Sequence, residues 1–164
     1  MMSRWVLQFL LTPRIKANSF AAGIWILWNA TVLVDILAIH PQMVHMKVCS
    51  EINSSSFLCT VVYASPQQTK RKDLWYNLDV MENSISESWL IVGDFNSVLH
   101  DSERVGGVVQ ERLGCKWFQS FLFDNKIWDL GYNSPQFTWS RRNLSQRLDR
   151  QFRVGLLCAK LYGP

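Results

Sequence analysis

The apolar run Trp89-Leu90-Ile91-Val92-Gly93 leads straight into Asp94-Phe95-Asn96, and this junction constrains the fold more than any other stretch. A short, continuous apolar run bounded by a glycine reads as a buried strand that gives way to a loop. Polar side chains at the end of such a strand are natural site candidates. The remaining elements arrange themselves around it. Residues 23–28 and 32–39 are rich in Ile, Val, Leu and Trp and read as core strands joined across Asn29-Ala30-Thr31. Val44, Met46 and Val48 alternate with His45 and Lys47, a half-buried strand, and the turn Asn53-Ser54-Ser55-Ser56 leads to another strand over residues 57–63.

Ser65-Pro66 reads as a helix start, with a hydroxyl placed to cap and Pro at the first helical position; Leu74, Leu78, Met81 and Ile85 then recur at helical spacing. Gly106-Gly107 marks a loop. Trp117, Phe118, Phe121 and Leu122 form one face of a second helix reaching about Asp124. Residues 137–139 and 147–152 read as a final pair of strands, with Arg141-Arg142-Asn143 near their turn. No repeat or linker interrupts this order, which predicts a single mixed α/β layered domain.

Composition permits such a body. A chain of 164 residues that is 48% hydrophobic can bury a sizeable core, and disorder is excluded as a general description. A net charge of +4 is compatible with a polyanionic partner but falls far short of a nucleic-acid-binding tail. Cys49, Cys59, Cys115 and Cys158 form no CxxC pair, so neither a zinc knuckle nor a redox motif is indicated, and reduced thiols point to nucleus or cytoplasm. Residues 21–39 are nearly long enough to span a bilayer, but Asp35 near the centre would cost about 3 kcal/mol. Two strands around a turn explain them better, and no membrane association is expected.

Asp94 and Asn96 stand two apart after the apolar strand. A carboxylate can take a proton from water, and an amide can bond a phosphate oxygen. The same spacing also suits an Asx-turn that merely closes the strand. Asp149, between Arg147 and Arg150, is either a site residue or a salt-bridged strand residue. Arg141, Arg142, Arg147, Arg150 and Arg153 suit sequence-independent contacts to a DNA backbone or a charge-protected strand edge. Trp139 suits a cleft wall or the core.

Four separated blocks together are more specific than any one of them. Val62-Tyr63-Ala64-Ser65-Pro66, Trp89 through Asn96, Phe137-Thr138-Trp139 and Arg147-Leu148-Asp149-Arg150 resemble, in order and spacing, the endonuclease/exonuclease/phosphatase superfamily. Gly23-Ile24-Trp25-Ile26-Leu27-Trp28, His40-Pro41-Gln42-Met43-Val44-His45 and Glu103-Arg104-Val105-Gly106-Gly107 are similar to the plant branch carried by LINE-type retroelements, ahead of a reverse transcriptase. The resemblance covers residues 21–153, leaving 1–20 as a non-matching segment and 154–164 as a tail.

The resemblance implies a four-layer α/β/β/α sandwich, incomplete here, that hydrolyses a phosphodiester of DNA with water and a divalent ion, usually magnesium. By carry-over, Asp94 orients and deprotonates the water, Asn96 holds a phosphate oxygen, Tyr63 bonds the phosphate from the other side, and Asp149 supports the family's catalytic histidine. That histidine, in a Ser-Asp-His block, has no match, and His40, His45 and His100 are read as ordinary strand or loop histidines. The Trp-Asn-x-Arg-Gly and Glu-Thr-Lys blocks that hold the metal also have no match. The expectation is therefore a domain truncated at both ends, with no protein ligand set for a metal, magnesium not tightly bound, no small-molecule cofactor, weak binding to DNA and impaired hydrolysis. The alternative is a non-catalytic remnant that binds nucleic acid weakly.

Overall fold

The computed structural model describes residues 5–8, 16–20, 24–107, 116–131 and 135–154, with side chains described from residue 24 onward. Its centre is a six-stranded sheet with the order β4-β5-β6-β7-β12-β9, built from Val32–His40, Met43–Ser50, Ser56–Tyr63, Trp89–Asp94, Asp149–Val154 and Trp128–Asp129. The predicted Trp89 strand, β7, lies inside it. β7 runs parallel to β6 and antiparallel to β12, and its residues Trp89, Ile91 and Asp94 are buried.

Alternation along the central strands sends side chains into two cores. Leu58 and Val62 on β6 and Trp89 and Ile91 on β7 pack under helices α1 (Gln68–Glu82) and α2 (Lys116–Asp124). Cys59 and Val61, with Val44, Met46 and Val48 of β5, face the opposite way and pack on Ile24 and Ile26 of β3 (Ile24–Trp28). β3 belongs to a second sheet, parallel to β1 (Trp5–Gln8) and antiparallel to β2 (Lys16–Phe20). Helices, large sheet and small sheet are thus three of the sandwich's layers among the described residues.

Beside the site an aromatic stack fills the helix-side core. Trp75 of α1 stacks on Phe118 of α2 with ring centroids 4.4 Å apart, Phe118 stacks on Phe95 at 5.2 Å, and Phe152 of β12 meets Phe95 edge-on at 5.1 Å. Each such pair adds about 0.5–1.5 kcal/mol beyond its buried area. Phe95 is fully buried and lies between Asp94 and Asn96, so the core anchors the loop that carries both polar residues.

Four expectations need correction. Residues 32–39 form an edge strand, not a core strand: β4 pairs only with β5 among the described residues, and Leu33, Leu37 and Ile39 are exposed. Asp35 and a register shift between Ile36 and Ala38 blunt that edge. Helix α1 does not start at Ser65-Pro66 but at Gln68, with no side-chain cap. The Ser65 N–H donates to Gln42 Oε1 at 2.6 Å, and the Ser65 and Pro66 carbonyls accept from the Arg71 guanidinium, so the segment is drawn off the helical path. The Ser65 hydroxyl accepts from the Gln67 N–H instead.

On α2, Trp117 turns away from the shared face and is 54% exposed, under Lys72. Residues 137–139 and 147–152 do not pair as a final hairpin. β10 (Trp139–Arg141) pairs with β11 (Leu144–Gln146), which continues to β8 (Arg104–Val105), while β12 enters the large sheet. There Phe152 and Val154 reach the helix-side core, a burial that a surface hairpin could not give them.

Candidate active site

Sheet register brings three of the four expected residues into one row. Tyr63 on β6 is the parallel partner of Asp94 on β7, and Asp149 on β12 is its antiparallel partner. Partners in register project to the same face, about 5 Å apart between neighbouring strands. The fourth, Asn96, is joined to them by hydrogen bonds: its N–H donates to Asp94 Oδ1 and its Nδ2 to the Ala64 carbonyl, both at 2.8 Å. The Asx-turn is therefore present, and it assembles the site. Its backbone has φ 45°, a left-handed conformation that Asn tolerates better than most residues.

Gly93 lets β7 approach β6 at this rung. Its φ is 143°, and a Cβ there would stand 1.9 Å from the Val62 carbonyl oxygen. Any larger residue would push the two strands apart beside Asp94.

Both carboxyls hold their protons more tightly than usual. Burial pushes Asp94 up, against the Asn96 N–H and the more distant charge of Arg71, which favour its ionised form. Burial likewise pushes Asp149 up to about 6; a hydrogen bond from Thr138 opposes this, the charge of Asp94 adds to it, and Arg150 opposes it. Two like-charged groups on adjacent strands disfavour simultaneous ionisation. Raised proton affinity suits the pair to holding and passing a proton.

Sequence reasoning did not find the residues that brace this row. The Thr138 hydroxyl accepts from the N–H groups of Leu148 and Asp149 at 3.0 and 3.1 Å, fixing the backbone on which Asp149 stands. Gln42 ties three elements together: Nε2 donates to the Lys70 carbonyl of α1, Oε1 accepts from Ser65, and its carbonyl accepts from the Tyr63 N–H. Both lie in blocks that carried the resemblance, but nothing local marks either as a brace.

The arginines beside Asp149 have another task. Arg147 and Arg150 are buried and bind Glu103 and Asp129, with Arg150 Nη1 2.7 Å from Glu103 Oε1 and Arg147 Nη2 2.8 Å from Asp129 Oδ1. Neither forms a solvated strand edge or reaches outward to a DNA backbone, whereas Arg141 and Arg142 are exposed. Arg150 pairs with Glu103 and Asp129 rather than with the neighbouring Asp149. His45 is a buried strand residue 2.8 Å from the Thr60 hydroxyl. Cys49 and Cys59 are free, and burial pushes the Cys59 thiol up to about 12. Cys115 and Cys158 lie outside the described residues. No helix among the described residues is long and apolar enough to cross a membrane.

The two helices, the large sheet and the small sheet make a layered α/β body with two carboxyls side by side at the ends of its central strands. The model of the endonuclease/exonuclease/phosphatase family matches residues 9–161, and the chain belongs to that family. Among solved structures, the endonuclease domain of TRAS1, a telomere-specific non-LTR retrotransposon, is similar with a TM-score of 0.61 at 13% identity, covering 86% of this chain and 66% of that one. Truncated TDP2 of Caenorhabditis elegans matches with a TM-score of 0.52 at 15% identity, covering 88% and 62%. A mannosyl-6-phosphatase of Bacteroides thetaiotaomicron matches at 0.50 and 12% identity, covering 87% and 63%. The chain thus spans less than two thirds of the length of these structures. No curated protein matches it significantly.

The family generally depends on a divalent metal. Asp149 Oδ1 is buried with no hydrogen-bond partner among the described residues, so the acidic row has an oxygen to offer a cation. Yet no three His, Cys, Asp or Glu residues come together among the described residues. These side chains do not form a protein-built metal cage.

Proposed function

We propose that this chain derives from a retroelement of the plant LINE type and that its domain, spanning residues 21–153, hydrolyses phosphodiester bonds of DNA in the nucleus or cytoplasm. The observation that carries the reading is the single row of Tyr63, Asp94 and Asp149 with Asn96 folded against it. Asp94 orients the attacking water and accepts its proton. Asn96 Nδ2, which has a second hydrogen beyond its bond to Ala64, and the Tyr63 hydroxyl hold phosphate oxygens on either side. Asp149, whose proton affinity is raised on the strand beside Asp94, stands where it can share the proton that Asp94 accepts.

The retroelement assignment rests on the three branch-specific blocks, and the similarity to a non-LTR retrotransposon endonuclease domain accords with it. With two carboxylates in the row, a magnesium ion would depend on water and substrate phosphate for most of its coordination. Hydrolysis is accordingly impaired relative to a site with a full protein ligand set. Calorimetric titration with magnesium alone should show no saturation at micromolar metal; saturation there would reveal a further carboxylate ligand.

The direct test is nicking of supercoiled plasmid in magnesium. Asp94→Ala should slow it by about 10²–10⁴-fold, the usual worth of a positioned base. Equal traces for the two proteins would instead establish the second reading, a non-catalytic domain that binds nucleic acid weakly.

A further inference from the structure

The row of strand ends does not stop at Tyr63. On the side away from Asp149, a cleft of about 470 Å³ opens between the β4–β5 turn and the start of α1, and Tyr63 forms part of its wall. Ala64, whose N–H donates to the Asp94 carbonyl at 2.8 Å and whose carbonyl accepts from Asn96, separates the cleft from the acidic pair. Whatever occupies the cleft therefore lies one residue away from the proposed reacting phosphate.

The walls are built in advance. Besides its bonds to Lys70, Ser65 and Tyr63, Gln42 donates its own N–H to His40 Nδ1 at 3.2 Å. That bond assigns the proton of neutral His40 to Nε2, which makes this nitrogen a donor. Burial lowers the pKa of His40, opposed by the nearby Asp73, so the neutral ring prevails at pH 7.

The chemistry of the lining selects among ligands. Pro41, Pro66, His40 and Tyr63 line a mostly apolar wall, while Lys70 and Asp73 contribute one charge of each sign. A lone phosphate fits poorly, because Asp73 opposes an anion and offsets Lys70. A flat, neutral heterocycle with donors and acceptors on its edge fits well: rings can stack on its faces and polar groups can meet its rim.

Building on the hydrolase reading, we propose that this cleft is a nucleobase subsite that holds an unpaired base next to the scissile phosphate, with His40 and Tyr63 as its ring walls. An unpaired base implies a preference for single-stranded or locally opened DNA over continuous duplex.

The three histidines of the chain make the test direct. Imidazole resonances of the full chain are followed by NMR during titration with adenosine and, separately, with inorganic phosphate. Adenosine should shift the His40 signals and leave those of His45 and His100 in place, whereas phosphate should leave all three unchanged. Pro66→Trp, at an exposed position on the wall, should fill the cleft and weaken adenosine binding by about tenfold, the scale of one stacked base. A His40 shift with phosphate and none with adenosine would overturn the proposal in favour of an anion site, and no shift with either would overturn it outright. Adenosine binding without any plasmid nicking would uphold the cleft while sinking the hydrolase reading; nicking without adenosine binding would do the reverse.

Discussion

Two carboxylates of this domain, Asp94 and Glu103, are buried to nearly the same degree, 7% and 6% exposed, yet their proton affinities move in opposite directions. Burial pushes both upward. At Glu103 it is more than offset by Arg150, which donates to both carboxylate oxygens, and by the N–H groups of Leu99 and His100. Asp94 has one backbone N–H, a more distant guanidinium and a second carboxyl as its neighbour. What separates the two carboxylates is therefore not burial but whether the counter-charge is supplied. β12 contributes to both, with Asp149 on one side and Arg150 on the other.

Removing the counter-charge should produce the largest effect. Glu103→Ala takes from Arg147 and Arg150 a carboxylate that both bind, and removing one partner of a buried ion pair costs about 3–5 kcal/mol. Urea denaturation followed by tryptophan fluorescence measures it. A loss below about 1 kcal/mol would mean that the cluster is solvated and the contrast with Asp94 is weaker than drawn.

The pH dependence of stability should carry opposite signs in the two regions. The native Asp149 carboxyl, at about 6 against an ordinary 3.8, holds its proton more tightly than in the unfolded chain. Its contribution is therefore complete below the ordinary value and is lost as pH rises through about 6. Glu103, held below its ordinary 4.5, contributes above that value and loses its contribution as pH falls below it. Asp149→Asn should flatten the decline between the two Asp149 values and leave the variant more stable than the parent above pH 6. Urea midpoints collected across that range decide it, and an unchanged slope would place the perturbed proton elsewhere.

The smallest effect tests the brace. Thr138→Val deletes the hydroxyl that receives the Leu148 and Asp149 N–H groups, at a cost of about 1 kcal/mol. Because that hydroxyl also favours the ionised carboxylate, the Asp149 pKa should rise further in the variant. Carbon-13 NMR titration of the aspartate carboxyls reads this, and a fall would reverse the role given to Thr138.

Much of the architecture was legible because it is written in local periodicity. Trp89 through Gly93 reads as a strand in any context, and Leu74 and Leu78 fall at helical spacing. The resemblance of the four blocks groups Tyr63, Asp94, Asn96 and Asp149, and sheet register sets the first, second and last of these side by side. The helix start was misplaced because the competing partner of Ser65 is Gln42, 23 residues earlier. The pairing of β12 was misjudged for a related reason: Phe152 and Val154 are equally apolar in a hairpin or in a sheet, and only the helix-side core determines which one buries them.

The sequence by itself determined the element types and the strand-end position of Asp94, since these depend on side-chain identity and short spacing. Only the tertiary structure decided which charges are neutralised. Arg147 and Arg150 flank Asp149 in the chain, but Arg150 finds its carboxylate 47 residues away in Glu103, leaving Asp149 beside Asp94. Electrostatic partners are chosen by distance in space, and in a sheet that distance is set by register between strands far apart along the chain.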